Sequence, residues 1–269
     1  MEIRKLLYAT DIEEPSFTEL ERLMVFRNLG LEEVVCLLPK GVEDWEGRLA
    51  DYSLKSRTLP SKGPLLPGIL DIVRQEGISI IAVCLKRVAK RVLAGSLVKN
   101  LVRSSPVPVI FLNEDTQIAA GSMEKGVFHH VLFASDWSPA SQKALEYFLN
   151  FKMAVEILEI VNVINKKLSI RDMRNLKEKL VETRKIFLDE VIDAEAHVYA
   201  GKPFEEILLA ARDYDATFIV MGTSCKSSLK RIFSRSCSYR VAEEAIVPTL
   251  VVPISSHWEN REKMNRRIT

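Results

Sequence analysis

The stretch VPTLVV at residues 247–252 repeats an earlier stretch, VPVIFL at residues 107–112, at an offset of 140 residues. The same offset aligns Ser96 with Ser236, and it holds without a gap from about residue 80 to residue 112. Nearer the front of each copy, LLYATD at residues 6–11 matches VLFASD at residues 131–136, at an offset of 125 residues. The chain is therefore an internal duplication, and its first copy is shorter in the middle than its second.

The duplication divides the 269 residues into two domains of ordinary size. We place the first domain at residues 1–113 and the second at residues 128–254. The segment 114–127 between them is polar and rich in small residues, which is typical of a linker. The tail 255–269 is polar and basic and has no core pattern, so we expect it to lie outside the second domain.

Apolar runs of strand length alternate with segments of helical spacing in both copies, which predicts an α/β fold. Such alternation implies parallel strands with right-handed crossovers, in three layers with one sheet per copy. In the second copy, Ser169 begins a long helix whose buried face is expected to hold Ile170, Met173, Leu176 and Leu180. Residues 41–63 of the first copy have no such helix, so we expect a short crossover and a vestigial third strand there.

Composition excludes several classes of protein. The formal net charge is +2, from 38 basic and 36 acidic residues, so no global field favours nucleic acid or membrane. The start, MEIRKLLYATD, is charged where a secretory signal would be apolar, and we expect a soluble cytoplasmic protein. No CxxC, no His pair at metal spacing and no Ser-His-Asp or Cys-His pattern is visible, so we assign no metal ligand and no catalytic residue.

The second copy resembles the universal stress protein family. The motifs in question are a first strand ending in Asp136, Gly201-Lys202-Pro203 before a helix, Met221-Gly222-Thr223 at the end of a strand, and Val247-Pro248 before the last strand. The resemblance implies that each copy is a five-stranded parallel sheet of order 3-2-1-4-5 with helices on both faces. This is the architecture called adenine nucleotide alpha hydrolase-like, or HUP-type.

Family members that hold ATP have a loop of the form G-x2-G-x9-G-[S/T], whose final residue begins a helix. Glycines let the backbone approach the phosphates, and the helix N-terminus attracts anions. The corresponding residues here are Gly222, Cys225, Arg235 and Ser236 in the second copy and Ala82, Leu85, Gly95 and Ser96 in the first. Each copy lacks two of the three glycines. The candidate nucleotide-binding residues are Asp11, Gly95 and Ser96 in the first copy and Asp136, Gly222, Thr223, Arg235 and Ser236 in the second.

Two features of these candidate sites have alternative explanations. Asp11 and Asp136 follow the first strand of each copy, where the family places an Asp near the adenine and ribose; an Asx turn or helix cap explains them equally. The loops at 86–91 and 226–235 are basic and contain no acidic residue. Their cations could hold a phosphate anion in place of the missing glycines, or they could form a solvated charged face.

The resemblance implies a non-enzymatic stress-response or signalling module whose degenerate site binds ATP weakly or not at all. ATP, AMP and a smaller phosphate anion remain open as ligands. One alternative is a nucleotide-binding enzyme, either an ATP hydrolase or a nucleotidyl-transfer enzyme, and another is a regulator acting on a transporter in trans.

Partners follow from the last strand of each copy. In the family this strand is an edge that pairs antiparallel with a partner's, and an open apolar edge invites aggregation. We therefore expect Val107–Leu112 to pair with Thr249–Val252 within one chain, as a pseudo-dimer. A homodimer of chains and an unidentified protein partner are compatible with this arrangement, whereas a membrane or nucleic acid partner is not expected.

Overall fold

The computed structural model describes residues 3–42, 45–86, 92–113, 126–224 and 237–254, with the backbone alone for residues 92–96. Ten strands lie within these ranges. They are β1 (Lys5–Thr10), β2 (Glu33–Leu38), β3 (Lys55–Pro60), β4 (Ile80–Leu85), β5 (Val109–Asn113), β6 (His130–Ala134), β7 (Ile157–Ile164), β8 (Asp193–Ala200), β9 (Phe218–Thr223) and β10 (Thr249–Pro253).

Helices connect the strands within each half. They are α1 (Phe17–Glu21), α2 (Trp45–Ala50), α3 (Leu65–Glu76), α4 (Val92–Ser104), α5 (Pro139–Phe148), α6 (Ile170–Asp189), α7 (Pro203–Asp213) and α8 (Cys237–Glu244). In both halves the first helix continues into a 3₁₀ segment, Arg22–Leu29 after α1 and Leu149–Ala154 after α5. None of the helices in the described ranges combines the length and apolar content that a membrane span requires.

The ten strands form one sheet in the order β3-β2-β1-β4-β5-β10-β9-β6-β7-β8. Within each half every neighbouring pair is parallel, and the expected order 3-2-1-4-5 is confirmed. The two halves meet where β5 and β10 pair antiparallel, with Ile110 opposite Leu250. The sheet of each copy is therefore continuous with the other, because the fifth strand of each half has no other neighbour on its outer side.

Two hydrophobic layers cover the two faces of this sheet, and each layer contains residues of both halves. On one face, Phe26 of the first half packs against Phe128 and Phe151 of the second, with ring centroids 5.6 and 5.5 Å apart. On the other face, the side-chain amide of Asn113 donates to the carbonyl oxygen of Ala245 at 2.8 Å. The halves thus share a core as well as a sheet.

The middle of the first half is short, as expected, but its third strand is not vestigial. The crossover from β2 to β3 contains only the six-residue α2, whereas the corresponding α6 has 20 residues. Nevertheless, β3 pairs with β2 in parallel along its full length, from Lys55 to Pro60. The prediction was wrong because an edge strand needs few buried side chains, and main-chain pairing suffices to hold β3.

The predicted start of the buried face of α6 is also wrong. The side chains of Ile170 and Met173 are 78% and 49% exposed. The buried residues are Leu176, Thr183 and Phe187, which are spaced seven and four apart along the helix. Ser169 does cap the helix, in a capping box with Asp172, so the signal for the helix start was correct while its apolar face begins more than one turn later.

Candidate functional site

The candidate site of the second half lies at the carboxyl ends of β6 and β9. These two strands are neighbours. The chain continues from β6 to β7, on one side of the pair within the sheet, and from β9 to β10, on the other side. Such a switch point forms the crevice where open α/β sheets bind ligands. Asp136 follows β6, Thr223 ends β9, and α8 begins at Cys237.

Asp136 forms an Asx turn at the start of α5. Its Oδ1 accepts hydrogen bonds from the backbone N–H of Ser138 at 3.0 Å and from the hydroxyl of Ser141 at 2.9 Å. The Ser138 hydroxyl in turn accepts from the N–H of Ser141 and caps α5. Partial burial disfavours the ionised carboxyl, but the hydrogen bonds from Ser138 and Ser141 outweigh it, so the pKa of Asp136 is lowered. Of the two alternatives for this residue, the turn is directly visible in the geometry.

Gly222 lies in β9 directly beneath the first turn of α5. A β-carbon at this position would overlap the carbonyl oxygen of Ala140 and would lie 2.8 Å from the amide nitrogen of Ser141. The glycine therefore allows a strand and a helix start to pack closely. The family resemblance explains this glycine by the close approach of a phosphate. The close packing of β9 against α5 is by itself enough to require a glycine at this position.

Thr223 and the first turn of α8 complete the described part of the site. The buried Thr223 hydroxyl accepts a hydrogen bond from the Ser238 hydroxyl at 3.2 Å, and its carbonyl accepts from the N–H of Ile254 at 3.1 Å. Burial, together with the charge of Asp136, raises the pKa of the Cys237 thiol to about 11, against a smaller opposing effect of Arg240. The start of α8 therefore lies within electrostatic reach of Asp136.

Trp137 has a role that sequence reasoning missed. Its backbone is left-handed, with φ of 53°, and its indole N–H donates to the Thr183 hydroxyl of α6 at 2.9 Å. The Lys179 ammonium lies 5.5 Å from the centre of the ring. The half-buried Trp137 therefore connects the turn after β6 to the long helix, and the position of a Trp directly after Asp136 was the only available signal.

The first half repeats the turn that follows the first strand. The hydroxyl of Thr10 accepts from the N–H of Ile12 at 3.1 Å, just as that of Ser135 accepts from Trp137 at 3.2 Å. Asp11 is exposed beside this turn. In strand register Cys84, opposite Leu112, takes the place of Gly222, opposite Val252, and β4 ends at Leu85, which is 6% exposed and pairs with Asn113 as Thr223 pairs with Pro253.

Of the remaining site residues, the structure describes the backbone of Gly95 and Ser96 but not Arg235 or Ser236. Gly95 and Ser96 lie inside α4, which begins at Val92, so the expectation that Ser96 begins a helix is wrong. This helix starts earlier because the segment from Val92 onward already has apolar residues at helical spacing. Arg235 and Ser236 lie outside the described residues, as do Cys225 and most of both basic loops; α8 begins immediately after Ser236.

Comparisons with known proteins match the second half to one sequence family and both halves to known folds. The sequence model of the universal stress protein family matches residues 128–253. Universal stress protein MJ0577 of Methanocaldococcus jannaschii is 25% identical over 154 residues, which cover 47% of this chain and 95% of the relative.

At least three solved structures match across both halves, including the following two. A universal stress protein from Archaeoglobus fulgidus has a TM-score of 0.70 and 23% identity, over 94% of this chain and 97% of that chain. Protein PA1789 from Pseudomonas aeruginosa, described as functionally unknown, has a TM-score of 0.64 and 16% identity, over 97% and 98%. At these identities, the two structures support the shared fold of the whole chain.

Proposed function

We propose, on the premise that the second half matches the universal stress protein family over residues 128–253, that the chain is a non-enzymatic stress-response or signalling module. Its nucleotide sites are degenerate and bind ATP weakly or not at all. Protein contacts, rather than chemistry on a nucleotide, then carry its function. The proposal depends chiefly on where the residues that replace the family's glycines lie.

The first half supplies the main observation. Ala82 and Leu85, which the sequence offset aligns with the first two glycines of the phosphate loop, and Cys84, which strand register aligns with the first, are all buried within β4. Their N–H groups belong to a strand with paired neighbours on both sides, β1 and β5. Backbone groups engaged in a sheet cannot also line a phosphate cradle.

In the second half, the glycine that remains is already used for packing. Gly222 accommodates the start of α5, and the Oδ1 of Asp136 is occupied by Ser138 and Ser141. Cys225 and Arg235 stand at the other two glycine positions, where a β-carbon restricts the backbone and its approach to a phosphate. The second half is therefore the better candidate for weak binding of a phosphate anion, but not for tight binding of ATP.

The enzyme alternative requires groups that this chain lacks in the relevant loops. Phosphoryl and nucleotidyl transfer need a complete phosphate cradle and a carboxylate that holds Mg²⁺ beside it. Residues 85–95 and 225–235 contain no Asp or Glu. These observations favour a binding module over an ATP hydrolase.

Isothermal titration with ATP-Mg²⁺, ADP and AMP tests the proposal. We expect the unmodified chain to bind ATP with a Kd of ~1 mM or weaker, and Cys225→Gly/Arg235→Gly to bind at least about tenfold more tightly. The matched control is Cys225→Ala/Arg235→Ala, which removes the same side chains but keeps both β-carbons and should gain nothing.

Two results would overturn the proposal. One is micromolar ATP binding by the unmodified chain. The other is phosphate release from ATP above the protein-free rate that is abolished by Asp136→Asn, a variant that keeps the turn-forming Oδ1 and loses the charge.

A further inference from the structure

A cluster of histidine and glutamate side chains lies on the second half of the sheet, away from the carboxyl-end site. His130 is the first residue of β6 and Glu159 the third of β7, while Glu195 and His197 lie on β8. In register, Glu159 is opposite Leu132 on one side and Glu195 on the other. Because alternate residues of a strand share a face, the four side chains extend from the same face of three adjacent strands.

The carboxylate of Glu159 is at the centre of the cluster. Its Oε1 lies 2.9 Å from Nε2 of His130, and its Oε2 lies 2.6 Å from Nε2 of His197. A carboxylate oxygen of Glu195 lies 3.9 Å from the same Nε2 of His197. One ligand atom from each of Glu159, Glu195 and His197 can be chosen so that all three lie within 4.8 Å of one another.

Burial makes this arrangement electrostatically demanding. The Glu159 side chain is 8% exposed, and the two imidazoles lie within hydrogen-bond distance of its oxygens. A buried carboxylate is costly unless a cation neutralises it. The side chain of Glu195 is 68% exposed and brings a second carboxylate to the open side of the cluster, which leaves a path from solvent.

We propose that Glu159, Glu195 and His197 bind a divalent transition-metal ion of the zinc class, with a water molecule as fourth ligand. One imidazole and two carboxylates form a donor set of the kind that zinc accepts, at about 2.0–2.2 Å from each atom. Tetrahedral geometry at that radius separates the donor atoms by roughly 3.3 Å. The 2.6 Å and 3.9 Å separations therefore need to change by less than about 1 Å, and the two carboxylate oxygens, which lie within 4.8 Å of each other, need to approach.

His130 and Tyr214 position the ligands. His130 holds the second oxygen of Glu159, and the ring of Tyr214 stacks on that of His197 with centroids 4.5 Å apart. Such outer partners fix the orientation of ligand side chains. Since β8 is one of the two outermost strands of the described sheet, a metal held by Glu159 and His197 would fasten this edge strand to β7.

Sequence reasoning assigned no metal ligand because it looked for close spacing along the chain. The cluster residues are brought together only by the pairing of β6, β7 and β8, and they are up to 67 positions apart in the sequence, from His130 to His197. The proposal does not depend on the proposed function, since its site is on other residues and its test uses no nucleotide.

The test is zinc titration of the full chain after treatment with EDTA, with Co²⁺ absorption as an independent probe of ligand type. We expect one equivalent of zinc to bind, Glu159→Gln and His197→Gln to abolish it, and His130→Gln to weaken it about 10- to 100-fold. The matched control is His129→Gln, because His129 forms a single, separate pair with Glu156 at 2.8 Å and should leave zinc binding unchanged.

Thermal unfolding separates loss of a ligand from loss of the fold. Zinc should raise the melting temperature of the unmodified chain and of His129→Gln but not that of a folded His197→Gln. Absence of zinc binding by the unmodified chain would overturn the proposal and leave the cluster as a buried ionic network. Binding that persists in both Glu159→Gln and His197→Gln, or a Co²⁺ spectrum with thiolate character, would overturn it by placing the metal elsewhere.

Discussion

The α-carbon of Gly222 lies so close to the carbonyl oxygen of Ala140 that no β-carbon fits between them. Gly222→Ala should therefore lower the free energy of unfolding, by about 1–3 kcal/mol, because the helix start must move off the strand. Urea unfolding measures the change. The control is Gly68→Ala in α3, where the nearest atom is a side-chain carbon of Leu37 at 3.3 Å. That variant should lose less stability than Gly222→Ala, since the contact is with the end of a side chain rather than with backbone and alanine favours a helix by about 1 kcal/mol. Equal losses in both variants would contradict the packing role of Gly222.

The hydrogen bond from Trp137 to Thr183 should couple the turn after β6 to α6. We expect the double-mutant cycle of Trp137→Phe and Thr183→Val to give a coupling of about 1 kcal/mol in unfolding experiments. A second cycle, of Trp137→Phe with Lys179→Met, serves as the control because the ammonium lies 5.5 Å from the ring and is expected to contribute about 0.5 kcal/mol or less. A coupling near zero in the first cycle would show that the indole N–H contributes nothing to stability.

The aromatic contact between the halves should make them unfold together. Phe26→Ala removes a fully buried ring of the first half that packs on Phe128 and Phe151, and should cost about 3–5 kcal/mol. Hydrogen exchange in urea should show the same shift of midpoint for β1 and β9. The exposed Met153→Ala is the control and should shift neither. A shift confined to β1 would mean that the halves are energetically independent.

The β5–β10 pairing should not tolerate a charge. Ile110 and Leu250 are opposite each other and fully buried, so Ile110→Lys should lower both the melting temperature and the soluble yield. Val198→Lys, on the outer strand β8 at a position 43% exposed, is the control and should have little effect. If Ile110→Lys retains the original melting temperature, the pairing does not stabilise the molecule.

The Cys237 thiol should react slowly with iodoacetamide near neutral pH, because its pKa is raised to about 11 and the thiolate is the nucleophile. Its alkylation rate should rise with pH up to that value. Asp136→Asn removes a charge that raises this pKa, so the rate at pH ~9 should increase. Mass spectrometry of the tryptic peptide 236–240 follows Cys237 separately from Cys225. The exposed Glu146→Gln is the control, and an equal increase there would rule out a specific effect of Asp136.

Much of the fold could be predicted because it depends on patterns that are local in sequence. The offset repeats at 107–112 and 247–252 marked the strands that meet at the centre of the sheet, and Ser169 and Pro203 marked helix starts. The exposure of Ile170 and the full-length pairing of β3 with β2 could not be predicted. Each depends on how much of the helix or strand is covered by the elements packed next to it. The Asx turn of Asp136 was one of two alternatives, and only the distances to Ser138 and Ser141 distinguish it. The cluster around Glu159 arises solely from strand register.

The antiparallel β5–β10 pairing also determines how the protein responds to dilution. When two separate chains pair through edge strands, the assembled fraction falls as the protein is diluted. Here both strands belong to one polypeptide, so their association is intramolecular and does not depend on the concentration of the protein. The two copies therefore stay together at any cellular abundance. Because the paired strands β5 and β10 need not be identical, each copy can accumulate substitutions at its own carboxyl-end crevice without having to preserve a self-complementary surface.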